Sequence, residues 1–202
     1  TGEPAAIVAE KHGGSQLDLK VDHLTCFYPG IIALAVNMSL LPNKDRELDL
    51  AAKLTRGCVA MYDLSVTKLA GEITKFDWAG PRGARPHITP PDGFSLLRPE
   101  TAESLYVMFS VTRDDKYRRW GARMLESFNT YARVESGGYA SLDNVESSSP
   151  VKRDSMESFF LSETLKYLYL LFSDEELVSH QNYVFNTEAH PLPVLPPPLA
   201  PA

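Results

Sequence analysis

Two glutamates, Glu100 and Glu103, have the residue type and spacing of a carboxylate pair that could do chemistry. Pro99 suits the first position of a helix, because its missing N–H would have no partner there. Residues three apart lie on one helix face, and the positive partial charge at a helix N-terminus favours ionised carboxylates. Ionised carboxylates suit a general base or a cation-linked role better than a proton donor. The alternative is structural: acidic residues are common in first turns, and spacing alone leaves this open.

Three further side chains have chemistry that could serve a binding site. Phe159 and Glu163 are four residues apart and share one face of a predicted helix. A carboxylate on an otherwise apolar helix costs free energy unless it is paired or hydrogen-bonded. His23 comes just before a strongly apolar segment, where a single histidine is more often a hydrogen-bonded core residue than a ligand. These residues predict buried polar contacts and by themselves assign no reaction.

Apolar periodicity predicts the helices that must position these side chains. After Asn43, which has cap chemistry, apolar residues recur at helical spacing as far as Leu64. Residues 154–158 likewise supply a cap before a long apolar helix. The predicted helices cover residues 29–36, 44–64, 99–111, 117–131 and 159–172.

The segments between the helices predict loops, turns and one short strand. The proline- and glycine-rich stretch 76–94 indicates a long loop, and long loops are frequently functional. Residues 136–139 predict a hairpin turn, and residues 183–185 predict a strand. The first twenty residues predict no definite element, and the proline-rich end from residue 193 to residue 202 is expected to be frayed.

Two of the predicted helices that begin with acidic residues belong to an internal repeat. Glu103-Ser104-Leu105 and Glu163-Thr164-Leu165 lie sixty residues apart, and the acidic pairs 114–115 and 174–175 keep the same offset. Each unit is a helix headed by an acid, and the first is followed by a helix that returns. Stacked helical hairpins explain this pattern, either as an open solenoid or as a closed α/α barrel.

Composition and charge exclude several classes of function. The net charge is −6 and basic residues form no cluster, which argues against nucleic acid, because its binding depends on neutralising phosphates. The 202 residues are enough for one domain with a sizeable core. No apolar run approaches the roughly 18 to 20 residues of a membrane span. The chain starts at Thr1 with no signal-like segment, so we expect a mature product or part of a longer protein.

Two cysteines and one glycosylation sequon remain. Cys26 and Cys58 permit one disulfide, and spacing alone leaves two free buried thiols as the alternative. A bridge over this loop would contribute about 3 to 4 kcal/mol in the chain-entropy model. The sequon Asn37-Met38-Ser39 falls in an apolar stretch predicted to be helical, so we expect it to be unused.

Four segments carry a family pattern when they are taken together. They are 21–30 (VDHLTCFYPG), 97–104 (LRPETAES), 153–168 (RDSMESFFLSETLKYL) and 185–191 (FNTEAHP). In this order and spacing they resemble the class I α-mannosidases of glycoside hydrolase family 47. The resemblance is to the C-terminal half of the catalytic domain, and it is closest to the endoplasmic reticulum and Golgi enzymes that trim N-glycans.

The resemblance implies an all-α fold, part of an (α/α)7 barrel built of helical hairpins with short β-hairpins. Residues 1–192 would be the C-terminal portion of one catalytic domain, followed by a proline-rich tail over 193–202. The implied activity is calcium-dependent (Ca2+) inverting hydrolysis of terminal α-1,2-linked mannose from oligomannose N-glycans. The implied compartment is the secretory-pathway lumen, in the endoplasmic reticulum or Golgi, with membrane attachment only through an N-terminal anchor outside this chain.

The resemblance also implies roles for residues of a metal site. Glu100 matches the favoured catalytic base of the family. Thr187 matches the threonine that binds calcium directly through its hydroxyl and carbonyl oxygens, in keeping with the preference of calcium for oxygen. Three acids match positions that are linked to the hydrated ion through water, namely Glu103, Glu163 and Glu188.

Other positions match residues that contact sugar or hold the domain together. His23, Arg98 and Phe159 match sugar subsites, together with the acids Glu163 and Glu188, and Phe159 offers its apolar face to the sugar ring. The two cysteines match the family disulfide, which implies an oxidising lumen. Residues 68–72 depart from the family pattern, because they lack the proline usual before the final glutamate.

The general acid that an inverting glycosidase needs comes from the N-terminal half of the family domain, which this chain does not match. We therefore expect the isolated chain to be catalytically inert. Two alternatives stay open. One is a related protein of endoplasmic reticulum degradation, in which glycan recognition dominates over trimming. The other is a helical-repeat interaction module without chemistry, whose stability would be indifferent to calcium.

Overall fold

The computed structural model describes residues 4–14, 17–78 and 84–195, and its α-helices lie in two layers. The inner layer contains α1 (Tyr28–Asn37), α3 (Glu100–Thr112) and α5 (Lys166–Phe172). The outer layer contains α2 (Lys44–Leu64) and α4 (Lys116–Ser127). Helix α3 is central and contacts each of the other four helices. The helices thus stack as hairpins, which confirms the all-α prediction.

Local sequence signals explain where the helices begin and end. The Asn43 side chain accepts a hydrogen bond from the Arg46 N–H at 3.2 Å, so the predicted cap of α2 is present. Helix α3 begins at Glu100, so Pro99 precedes the first helical residue instead of occupying it, one residue from the prediction. It ends at Thr112, and the next residue, Arg113, has a φ of 57° in the left-handed region where many helices end.

Two of the predicted helices contain a π-helical segment. The helix of α4 continues into a π-helix at Phe128–Ala132, which completes the predicted span of 117–131. A second π-helix at Phe160–Leu165 leads into α5, within the predicted span of 159–172. π-helical turns occur frequently at functional sites, and this second one contains Glu163. Apolar periodicity predicted both spans but not their winding, because π and α turns bury similar residues.

The two units of the sixty-residue repeat make equivalent hydrogen bonds. The Ser104 hydroxyl of α3 donates to the Cys26 carbonyl, which lies just before α1. The Thr164 hydroxyl donates to the Leu97 carbonyl, which lies just before α3, at 2.8 Å. Both hydroxyl-bearing residues are fully buried. Each inner helix therefore supports the segment that enters its neighbour, and the repeat has a structural cause.

Short antiparallel strands border the helices. Strands β1 (Glu10–Lys11) and β2 (Leu17–Asp18) form one pair. A three-stranded sheet has the order β3 (Lys20–Asp22), β4 (Ile73–Trp78) and β5 (Ala84–His87). A hairpin near the chain end pairs β6 (Tyr183–Phe185) with β7 (Pro191–Pro193), which confirms the predicted strand at 183–185.

The prediction of a long loop over 76–94 is wrong for the part that forms β4 and β5. Thr74 and Phe76 are buried while Asp77 is exposed, which is the alternation of a half-buried strand. The proline content hid this signal. Pro86 lies in β5, the edge strand of the sheet, where a residue without an N–H is tolerated. Residues 79–83 of this predicted loop lie outside the described part of the chain.

A disulfide ties the start of α1 to the outer layer. Cys26 lies in a 3-10 turn (His23–Phe27) and is bonded to Cys58 of α2. Of the two possibilities left open by cysteine spacing, the structure contains the bridge.

No helix within the described ranges is long and apolar enough to cross a membrane. Of the predicted tail, residues 196–202 lie outside the description, so the boundary at residue 193 stays a prediction.

Candidate functional site

A cavity of about 410 Å³ lies where the first turns of α1 and α3 meet the second π-helix and the β6–β7 hairpin. Its polar side is formed by carboxylates and by the hairpin residue Thr187, and its apolar side by Leu24, Phe27 and Ile31. The acids that line it are Glu100, Glu103 and Glu163. The fold thus brings together residues that are up to 163 positions apart in the sequence, a count that runs from Leu24 to Thr187.

Glu100 is the acid that the protein itself keeps ionised. Its side chain is 13% exposed, and its Oε2 lies 2.8 Å from Nδ1 of His23. Burial alone would raise the pKa of Glu100, but the hydrogen bond and charge of His23, together with the charge of Arg98, outweigh burial. The pKa of Glu100 therefore lies below its usual value, as expected for a general base.

His23 lies behind Glu100 and not on the cavity wall. The residue is 3% exposed, and its Nε2 lies 2.7 Å from the Tyr62 hydroxyl and 3.4 Å from the Thr101 hydroxyl. Both ring nitrogens are therefore engaged, one by Glu100 and one by neighbouring hydroxyls. The structure thus gives His23 a positioning contact with Glu100, and its predicted contact with sugar stays a prediction.

Glu103 and Glu163 lie in a more negative environment than Glu100. Burial and the charges of Glu100 and Glu163 raise the pKa of Glu103 to about 7. Burial and the charges of Glu188 and Glu100 raise the pKa of Glu163 to about 7. At Glu103, desolvation and like charges therefore exceed the helix-dipole effect that favours its ionised form.

Arg98 and Phe159 form one continuous surface beside the acids. The Arg98 guanidinium lies 5.7 Å from the centre of the Phe159 ring, within the range of a cation–π contact. Its Nε donates to Oε1 of Glu72 at 2.6 Å, which holds the guanidinium in place. Two residues predicted for sugar subsites are thus adjacent, and Glu72 is the carboxylate that orients one of them.

The turn of the β6–β7 hairpin carries Thr187 and Glu188. The Asn186 side-chain oxygen accepts the N–H groups of Glu188 and His190, at 3.0 and 2.9 Å, so this side chain builds the turn. The Ala189 carbonyl accepts a hydrogen bond from the Lys166 ammonium at 2.7 Å, which joins the turn to α5. The strand is anchored by aromatic rings that contact one another, namely Tyr106, Tyr167, His180 and Phe185.

The oxygen atoms around this cavity fit a calcium ion by their chemistry. Thr187 offers hydroxyl and carbonyl oxygens, and the pKa values of Glu103 and Glu163 are raised by burial and by neighbouring acids, although the charge of Lys166 opposes this at Glu163. The part of the chain that is described contains no group of three or more His, Cys, Asp or Glu side chains that could hold an ion by themselves.

Several residues of the site were not assigned a role from sequence. Tyr62 contacts His23, and the side chain of Tyr167 hydrogen-bonds Glu103. Glu72 holds Arg98, although the sequence drew attention to it only as the end of a segment that departs from the family pattern. No local signal identifies these partners, because each contact joins residues more than 25 positions apart. Asn186 is the exception, since an asparagine before a polar turn is a recognised turn signal.

Comparisons with known proteins identify the family of this chain. The family described as Glycosyl hydrolase family 47 matches residues 2–194. Endoplasmic reticulum mannosyl-oligosaccharide 1,2-alpha-mannosidase of Mus musculus is 50% identical over 190 residues, which cover 92% of this chain and 28% of that protein. Mannosyl-oligosaccharide 1,2-alpha-mannosidase MNS3 of Arabidopsis thaliana is 46% identical over 199 residues, which cover 87% of this chain and 32% of that protein.

A solved structure supports the same assignment. An alpha-1,2-mannosidase from Trichoderma reesei matches with a TM-score of 0.79 and 26% sequence identity, over 91% of this chain and 41% of that chain. The chain thus spans about a third of the length of the curated relatives named above and less than half of this neighbour. On the extent of the family match and the identity to these relatives, the chain belongs to glycosyl hydrolase family 47.

Proposed function

We propose that the protein containing this chain hydrolyses terminal α-1,2-linked mannose from oligomannose N-glycans, with Glu100 as the catalytic base. The observation that carries the proposal is the state of Glu100: it faces a sugar-sized cavity and is kept ionised by His23. The named relatives are mannosyl-oligosaccharide 1,2-alpha-mannosidases, which supports the choice of substrate.

The proposed reaction inverts the configuration at the anomeric carbon. Glu100 takes a proton from a water molecule, and the water oxygen forms a bond to the anomeric carbon of the terminal mannose. The bond from that carbon to the glycosidic oxygen breaks, and this oxygen receives a proton from a general acid on the opposite side. We assign that acid to a part of the protein outside this chain, so the chain alone is expected to be inactive.

Arg98 and Phe159 are proposed to bind the sugar ring. The aromatic face offers apolar contact to the C–H groups of a pyranose, while the guanidinium donates hydrogen bonds to its hydroxyl groups. Glu72 keeps the guanidinium in one orientation, so little side-chain freedom is lost when the sugar binds. The acids Glu163 and Glu188 are proposed to contact sugar hydroxyls as acceptors.

We propose that Thr187 is the direct protein ligand of a calcium ion, with Glu103, Glu163 and Glu188 linked to it through water. When bound, the ion supplies positive charge that balances these acids and additional coordination sites for sugar hydroxyls. The protein contributes an oxygen-only donor set, and the Asn186-built turn holds Thr187 at the cavity.

The proposed location is the lumen of the secretory pathway, in the endoplasmic reticulum or the Golgi, with any membrane anchor outside this chain. The Cys26–Cys58 disulfide supports an oxidising compartment. The names of the most similar relatives supply the endoplasmic reticulum as the first candidate.

The deciding experiment follows the anomeric form of the released sugar. The full-length protein is incubated with an oligomannose glycan, and proton NMR records the first mannose anomer formed. Inversion predicts that the β-anomer appears first and equilibrates later, and that a calcium chelator stops release. Release of the α-anomer first, or continued release after chelation, contradicts the proposal.

Glycan recognition without trimming is the second candidate function. It is supported by the contact between Arg98 and Phe159, two residues predicted to bind sugar, while the general acid is assigned to a part of the protein outside this chain. A full-length protein that binds the oligomannose glycan, retains it after calcium is supplied and releases no mannose would select this function over hydrolysis.

A further inference from the structure

The sequon Asn37-Met38-Ser39 lies at a surface turn and not in the interior of a helix. It is the single Asn-X-Ser/Thr sequence of the chain. The sequence analysis predicted that it is unused because the surrounding residues are apolar and helical. Helix α1 ends at Asn37, and residues 37–40 are all exposed. The physical reason for that prediction is therefore removed by the structure.

The turn has the hydrogen bonds of a Schellman motif, which fixes the backbone of the sequon. The Ser39 N–H donates to the Val36 carbonyl at 3.0 Å, and the Leu40 N–H donates to the Ala35 carbonyl at 2.9 Å. Ser39 has a φ of 59°, in the left-handed region that this motif requires. The backbone thus satisfies its own polar groups, and the side chains of the sequon are not needed to hold the turn.

The side chains of Asn37 and Ser39 make no hydrogen bond to any described residue, and both are exposed to solvent. A glycan attached to the Asn37 amide would therefore displace no internal contact. Next to it, Met38 is 45% exposed and Leu40 is 68% exposed, which places two apolar side chains in water. A hydrophilic oligosaccharide beside them would reduce the apolar surface available for association.

The sequon is also at the opposite end of α1 from the candidate site. Ile31, near the start of the helix, lines the cavity, and Asn37 is the last helical residue. Six residues of α-helix separate them by about 9 Å along the helix axis. Because α1 and α3 present their first turns to the cavity, a glycan at the last residue of α1 leaves access to the candidate site unchanged.

From these observations we infer that Asn37 is a site of N-linked glycosylation. Nδ2 of Asn37 attacks the anomeric carbon of an oligosaccharide that is linked to a lipid diphosphate. A nitrogen–carbon bond forms, the bond from that carbon to the diphosphate oxygen breaks, the lipid diphosphate leaves, and the amide nitrogen loses one proton. The inference rests on the luminal compartment of the proposed function.

The test is peptide mapping of the full-length protein expressed in a eukaryotic secretory host. Treatment with a peptide N-glycosidase removes the glycan and leaves Asp at position 37, which mass spectrometry of that peptide detects. Recovery of the peptide with unmodified Asn37, both before and after treatment, would overturn the inference.

Two variants remove the acceptor by different routes. Asn37→Gln removes the amide acceptor, and Ser39→Gly removes the hydroxyl of the sequon while placing the residue that best tolerates a positive φ at the turn. Both are expected to lose the glycan and to keep the mannose release of the unsubstituted protein. Asn182→Gln, an exposed asparagine outside any sequon, is the matched control and is expected to keep the glycan.

Activity measured on the same preparations separates this inference from the proposed function. A protein that carries the glycan at Asn37 but releases no mannose contradicts the proposed function alone. An active protein with unmodified Asn37 contradicts this inference alone.

Discussion

Glu100 and Glu103 lie three residues apart on α3 and line the same cavity, yet their pKa values move in opposite directions. Glu100 has positive partners, since His23 contacts it directly and the charge of Arg98 acts on it. Glu103 has Glu100 and Glu163 as its charged neighbours and the Tyr167 hydroxyl as a hydrogen-bond partner. Burial is unfavourable to both ionised forms, so the neighbours decide the difference.

This comparison separates two kinds of acid in one site. Contacts within the protein lower the pKa of Glu100, so the proposed base is ionised before any ligand binds. Glu103 and Glu163 have other acids as charged neighbours, joined at Glu163 by Lys166, and the proposed calcium ion would balance their negative charge. The same distinction predicts which substitutions added calcium can rescue.

The largest effect is expected for Glu100→Gln. Loss of a general base lowers kcat by about 10²–10⁴-fold, and added calcium is not expected to restore it, because the missing group is the proton acceptor. The measurement is mannose release by the full-length protein over a range of calcium concentrations. Glu146→Gln, at an exposed position, is the control and is expected to keep full activity. Activity of Glu100→Gln close to that of the control excludes this residue as the base.

A smaller and reversible effect is expected for Glu103→Gln. Loss of an acid that is linked to the ion through water weakens calcium binding by about 10–100-fold. Activity therefore falls at low calcium concentration and recovers when the concentration is raised. Thermal melting gives a second readout, because a ligand that binds only the folded state raises the melting temperature. The calcium-induced rise should move to higher calcium concentration in this variant and in Thr187→Val. An unchanged calcium dependence in both variants places the ion elsewhere or excludes it.

The pH dependence should depend on His23. The ionised form of Glu100 is the proposed base, so activity falls as the pH drops through the pKa of Glu100. His23→Gln removes a contact that lowers this pKa, so the pKa rises and the acid limb of kcat/KM moves to higher pH. Tyr62→Phe is the matched control, because it leaves the bond between His23 Nδ1 and Glu100 in place. Equal shifts in the two variants would assign the effect to general disruption of the buried contacts.

The smallest effect is expected for Thr164→Val, which tests how the second π-helix supports the entry to α3. The variant leaves the buried Leu97 carbonyl without its partner, which costs about 1–3 kcal/mol in the free energy of unfolding. Leu97 has a φ of 60° and lies three residues before Glu100, so a modest loss of activity should accompany the loss of stability. Urea unfolding measures the first and mannose release the second. Ser162→Ala, at a half-buried position on the same π-helix where the Ser162 hydroxyl donates only to the exposed Ser158 carbonyl, should change neither.

Much of the fold was predictable because its signals are local. Asn43 caps α2 where the sequence indicates, and the sixty-residue repeat corresponds to equivalent hydrogen bonds from Ser104 and Thr164. The strands β4 and β5 were missed because β4 pairs with β3, more than fifty residues earlier, and a strand partner at that distance leaves no mark on local composition.

The amino-acid sequence by itself determined the helix spans, the hairpin repeat and the family resemblance with its candidate acids, because periodicity and motif order are properties of the chain. Only the tertiary structure decided that Glu100 is ionised while Glu103 has a raised pKa, that Glu72 holds Arg98, and that the sequon turn is exposed. The physical reason is that burial, charge neighbours and exposure depend on which distant residues pack together.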